Sequence, residues 1–167
     1  NMLATAYNQA EDYSASLAIS QKTLAVLEGQ DFKTAPELTL VAHNKIYFAL
    51  DGLGRWREAL SAQRALLSAR KALYGEDSMR MAVDHHNLAT TLINVGDYAE
   101  AVGHSQRAVE ILRANGHAES ARMGIALGAL GRGQLSQGDL AAAAETQARA
   151  HALLESGKAK GKIVLEG

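Results

Sequence analysis

The 167-residue chain has no cysteine. That excludes disulfide scaffolds, thiolate-bound zinc or iron–sulfur clusters and a cysteine nucleophile, and it fits a reducing, cytoplasmic setting. It has one proline, two phenylalanines and one tryptophan. Charge of a single sign is lacking too. Seventeen basic against eighteen acidic side chains leave a formal charge of -1, too little to draw the chain to nucleic acid or anionic lipid. No apolar run approaches the ~18–20 residues of a membrane helix. Glu11 and Asp12 come early, with no basic segment leading into an apolar one, so signal-peptide order is missing as well. The chain opens on Asn1 rather than Met, which points to a piece of a longer protein. What is present is apolar content, 47% of all residues, enough for a packed core.

The chain repeats itself. Gly54-Arg55-Trp56, Gly96-Asp97-Tyr98 and Gly138-Asp139-Leu140 are spaced 42 residues apart, and Ala59, Ala101 and Ala143 each follow five residues after the glycine. A fourth copy, Glu11-Asp12-Tyr13, matches Gly96-Asp97-Tyr98 at an offset of 85, which also overlays Leu3-Ala4-Thr5 on Leu88-Ala89-Thr90 and Ser20-Gln21 on Ser105-Gln106. Several matches at one offset indicate duplication. Each repeat has the pattern of a helical hairpin: an apolar helical stripe such as Leu88, Ala89 and Leu92, a glycine able to take positive φ, a capping Asp97, then a second helix carrying Ala101, Val102, Ala108, Val109 and Leu112. Pro36 suits the first turn of a helix. The spacing predicts helices near 1–10, 13–28, 36–52, 55–73, 78–94, 97–114, 117–135 and 139–156. The expected architecture is all-α: a right-handed superhelical solenoid of four antiparallel hairpins, repeats about 1–34, 35–76, 77–118 and 119–156, forming one array over 1–156. Residues 157–167 are expected to be a frayed tail or the start of a further helix.

This pattern resembles the tetratricopeptide repeat, in the 42-residue form found in kinesin light chains and many bacterial regulators. The resemblance rests on Asn87-Leu88-Ala89-Thr90-Thr91-Leu92 followed by Gly96-Asp97-Tyr98-Ala99-Glu100-Ala101 and Ala108. Gly131, Gly138, Leu140, Ala143 and Ala150 match the last repeat. Gly54, Trp56 and Ala59 match the second, with Tyr47 and Leu66 at its small positions. The first keeps Leu3, Ala4 and Tyr13 but has Glu11 and Ser16 where Gly and Ala are expected. The resemblance implies a non-catalytic scaffold that binds a protein or an extended or helical peptide in the groove lined by first helices. It also implies an alternative, a sensing or oligomerising arm of a larger enzyme or of a transcriptional or signalling protein. Truncated ends of such an array are expected to self-associate.

On that register the groove candidates are Asn8 and Gln9; Asn44, Phe48 and Asp51; His86, Thr90 and Asn94; and Arg132. Asparagines can both donate to and accept from a peptide backbone, and Phe48 can anchor an apolar group. Arg107 and Arg122, with Arg132, are considered as a patch for an acidic ligand. Gln63, Ser105 and Gln147 are expected to mark the opposite, outer surface of the second helices. Other chemistry finds little support. His85 and His86 point about 100° apart on a helix, and neither has a His, Asp or Glu three or four residues away. His43 and His85 share the repeat position of Leu127, so both are assigned to packing between helices rather than to metal. Gly128-Ala129-Leu130-Gly131-Arg132-Gly133 lacks GxGxxG spacing and a preceding strand, and Gly131 falls at the small packing position. No nucleophile elbow ties Ser, His and Asp together. Lys158, Lys160 and Lys162 have no interleaved aromatic residues, so the tail is read as solvated. No cofactor, metal, nucleic acid or membrane is expected.

Overall fold

The computed structural model describes residues 2–29 and 36–165, and the side chains of 12–29 and 36–157. Those residues form seven helices: α1 (Met2–Gly29), α2 (Pro36–Gly52), α3 (Trp56–Tyr74), α4 (Met79–Val95), α5 (Tyr98–Ala114), α6 (Ala121–Gln137) and α7 (Leu140–Leu165). No described helix is long and apolar enough to cross a membrane. Chain contacts group the helices into two compact units, residues 1–74 and 75–167.

The turns inside the hairpins are set by the repeating glycines. Gly96 takes φ +88°, and the amides of Gly96 and Asp97 donate to the carbonyls of Ile93 and Leu92 at 3.2 and 2.9 Å, closing the end of α4. The same pair of bonds recurs at Gly54 and Gly138. Asp97 then caps α5 by accepting from the Glu100 amide at 3.3 Å, and Asp139 caps α7 by accepting from the Ala142 amide at 3.1 Å. Helix α6 starts four residues later than the sequence spacing predicts. His117–Ser120 forms a turn of its own, and Ser120 Oγ accepts from the Met123 amide at 3.2 Å. Pro36 is the first residue of α2.

Two boundaries correct the sequence reading. Residues 2–10 and 13–28 form no hairpin; they belong to one helix, α1. Glu11 stands where the other repeats have glycine, so no residue there takes left-handed φ at low cost, and the ladder of helical hydrogen bonds runs through. The described residues therefore hold three hairpins, α2/α3, α4/α5 and α6/α7, preceded by α1. Helix α7 continues past residue 156, as far as Leu165.

In the N-terminal unit, the stretch of α1 from Tyr13 onward takes the place of a second helix and packs on α2. The Tyr13 ring lies on Gly52 so closely that a Cβ there would sit 2.6 Å from it. Leu17 joins Ile46, Tyr47, Ala49, Leu50 and Ala59 in the core. Tyr47 and Leu66, which replace the small residues of the other repeats, are both buried, so this hairpin fills its interior with larger side chains. In the C-terminal unit the small residues allow close packing: Ala89, Ala101 and Ala108 are fully buried. They surround a core that includes Leu88, Leu92, Ile111 and Met123.

Candidate functional site

The first helices of the three hairpins are α2, α4 and α6, and they carry most of the candidate residues. On α2, Asn44 and Asp51 are half-buried and Phe48 is 51% exposed. The Phe48 ring rests against the buried Tyr47 ring at a centroid distance of 4.8 Å, so its outer face is presented from a fixed base. Burial holds the Asp51 carboxyl above the ordinary carboxylate range. Asn8 and Gln9 lie outside the residues whose side chains are described.

In the C-terminal unit, α4 and α6 enclose a cavity of about 220 Å³. Leu112 of α5, Ala82 and Ala126 line it, together with Val83, His86, Arg122 and Ile125. The His86 Nδ1 is buried and has no hydrogen-bond partner. Burial, and then the charge of Arg132, push its pKa below the usual histidine value, which keeps the imidazole neutral at neutral pH. An orphaned buried ring nitrogen costs about 1–3 kcal/mol until something bonds to it. Thr90 offers less, since its hydroxyl donates to the His86 carbonyl at 3.1 Å. Asn94 is exposed toward the end of α4. Of the sequence candidates, then, the structure brings His86, Thr90 and Arg132 together.

Of the three arginines considered as an acidic-ligand patch, Arg107 stands apart. It lies on α5 and is engaged by Asp77 at 2.7 Å and Glu110 at 3.1 Å. Arg122 and Arg132 are exposed on α6, ten residues or about 15 Å apart along the axis, with Ile125 between them. Neither has a carboxylate partner among the described residues. The assignment of Gln63 and Ser105 to an outer surface is also corrected: both are buried, and Gln147 is half-buried. They point into the helix packing, where Gln147 Nε2 donates to the Gly128 carbonyl at 3.2 Å.

Of the α6 glycines in the 128–133 stretch, Gly131 and Gly133 serve packing, as expected, while a Cβ on Gly128 would meet nothing within 4 Å. A Cβ on Gly131 would meet the Gln147 side chain at 2.8 Å, and one on Gly133 would meet Val102 at 2.9 Å. His85 bridges helices: its Nδ1 lies 2.8 Å from Nδ1 of His104, with the rings stacked at 5.0 Å. The contact joins α4 to α5 at a spacing that no repeat pattern displays.

Sequence reasoning missed one set of residues. Val41, Val83 and Ile125 recur at 42-residue intervals, and they are 51%, 52% and 50% exposed. A β-branched apolar residue is thus held half in water at the same repeat position of α2, α4 and α6. The signal was present: the 42-residue offset, applied to apolar residues as well as to polar ones, finds all three.

Successive antiparallel helix pairs, glycine-closed turns and small residues at the helix crossings define a helical-hairpin repeat protein. The tetratricopeptide repeat profile matches residues 37–114 and 80–156, and the chain belongs to that family. Among solved structures it is similar to BtubC (BKLC) from P. vanneervenii, with 18% identity, TM-score 0.68 and 90% of this chain against 74% of that one. It is also similar to a putative kinesin light chain from Podosopora anserina with nearly identical TPR-like repeats. The structure of a point variant of that protein gives 13% identity, TM-score 0.56 and coverage of 92% and 93%. A second structure of it gives 12%, 0.52, and 89% and 91%. At these identities the likeness concerns the fold. No curated protein matches by sequence.

Proposed function

We propose that this chain is a non-catalytic binding module that takes up a protein or peptide partner on its first-helix surface. Family membership supports the general role, since such repeats are protein-binding scaffolds. The observation that carries the choice of surface is the α4/α6 cavity, where apolar Val83 and Ile125 flank a buried His86 Nδ1 without a partner. A partner side chain entering there covers apolar surface and supplies the missing hydrogen bond. Arg122 and Arg132, on either side of Ile125, favour a partner with carboxylates beside its apolar anchor. Asn94, exposed toward the end of α4, adds backbone-directed hydrogen bonds, and in the N-terminal unit Asn44 and Phe48 offer the same kind of bond and an aromatic face on α2. The reading calls on no cofactor.

The test uses a partner recovered by pull-down with the full-length protein and then titrated against variants. Ile125→Asp is expected to lower affinity about tenfold or more while moving stability by no more than about 0.5 kcal/mol, because the side chain is half exposed. Asn44→Ala combined with Asn94→Ala is expected to weaken binding more than folding. Unchanged affinity in both variants rejects the surface.

A further inference from the structure

The N-terminal unit has a cleft between α1 and α2 of about 440 Å³, twice the volume of the α4/α6 cavity. Ile19 and Thr23 of α1 and Leu38, Val41 and Lys45 of α2 line it. Ile19, Leu38 and Val41 are 66%, 56% and 51% exposed, a concentration of solvent-facing apolar side chains that is costly for a surface left bare. The Thr23 hydroxyl on that wall is already spent on the Ile19 carbonyl at 2.9 Å.

The repeat register shows what kind of structure fits there. Leu38, Val41 and Ala42 stand 84 residues before Arg122, Ile125 and Ala126, which form the α6 wall of the second cavity. Leu27, also in the cleft, stands 85 residues before Leu112, which lines the α4/α6 cavity, the same offset that relates Tyr13 to Tyr98. The two hollows therefore share one repeat register but differ in what closes them. In the C-terminal unit, α4 closes the hollow with Met79, Ala82, Val83 and His86, at i, i+3, i+4 and i+7 of a helix. Among the described residues of the N-terminal unit no helix takes that seat. The charge at the edge differs too. Lys45 stands where Ala129 does, one turn beyond Ile125 and Ala126 and three residues before Arg132, whose charge acts on His86. Lys45 has no ion pair among the described residues.

We propose that the α1/α2 cleft is a docking seat for an amphipathic helix with apolar residues at i, i+3 and i+4 and a carboxylate at i+7, which reaches Lys45. This occupant is the helix chemistry of α4, adapted by one acidic residue to the charge at the edge. The surface is distinct from the α4/α6 cavity, and the inference stands or falls separately from the groove reading.

The probe is a fluorescein-labelled peptide of the α4 sequence, residues 78–95, carrying His86→Glu, titrated with the whole chain by fluorescence anisotropy. Saturable binding is expected. Ile19→Asp with Val41→Asp places two carboxylates on the apolar seat and is expected to weaken it about tenfold or more. Both positions are exposed, and circular dichroism checks that the variant keeps its helices. Lys45→Glu is expected to weaken binding about twofold to fivefold, as for an exposed ion pair. Ile125→Asp, which tests the groove, is expected to leave this peptide's affinity unchanged. Absence of saturable binding, equal affinity for the double variant, or loss of binding on Ile125→Asp alone overturns the proposal.

Discussion

Replacing glycine by alanine at two positions seven residues apart, Gly96 and Gly103, is expected to change stability in opposite directions. Gly96 closes α4 at φ +88°, and a Cβ there would meet nothing within 4 Å. Sterics therefore cost nothing, and the whole effect of Gly96→Ala is the backbone penalty of left-handed φ for an L side chain, about 1–2 kcal/mol. Gly103 lies inside α5, exposed and with ordinary helical φ, and its Cβ would also meet nothing within 4 Å. There the substitution removes glycine's excess chain entropy in the unfolded state and stabilises by about 0.5–1 kcal/mol. At this chain length one kcal/mol moves the thermal midpoint by about 2–4 °C. Gly96→Ala is thus expected to lower Tm by about 2–8 °C and Gly103→Ala to raise it by about 1–4 °C, read by circular dichroism at 222 nm. Shifts of the same sign in both variants would refute the assignment of Gly96 as the turn-closing residue of this repeat.

Ala101→Leu is expected to destabilise by about 1–3 kcal/mol through overpacking, since Ala101 has no exposed surface; an unchanged urea midpoint and slope contradicts close packing of α4 on α5. NMR titration of His86 is expected to give a pKa below 6.5, and Arg132→Gln to raise it only part of the way, because burial is the larger cause. Its folded-state pKa is depressed, so the stability it contributes is complete above the unfolded value of 6.5 and is lost as pH falls from there through the folded pKa. His86→Leu, which cannot take up a proton, is expected to flatten that acid slope; an unaltered slope assigns the loss to other groups.

The array was legible because its signals are local and repeated. Glycine at 42-residue spacing marks each turn, and the alanines mark each crossing. The expected first hairpin misread the weight of those signals: Leu3-Ala4-Thr5 and Tyr13 match the repeat, but the turn depends on a residue that does not, Glu11. The site was legible only in part. His86, Thr90 and Arg132 meet because α4 and α6 lie side by side, which the register implies. Gln63 and Ser105 went the other way, since a polar residue on a polar face reads as exposed while here it faces a neighbouring helix. The His85–His104 contact pairs residues 19 apart on two helices, and no periodicity within either helix records it. Val41, Val83 and Ile125 were readable from the 42-residue offset, but the register was applied only to polar candidates and to Phe48, because an apolar residue at helical spacing is usually buried.

The central claim, that a partner is held on the first-helix surface, is tested most directly by titrating the recovered partner into isotope-labelled protein and mapping the amide shifts. The account predicts that they gather at Val83, His86, Ile125 and Arg132, with the His86 ring protons moving as its Nδ1 gains a bond. Shifts confined to exposed second-helix positions such as Gln106 and Glu110, with His86 unmoved, would contradict it.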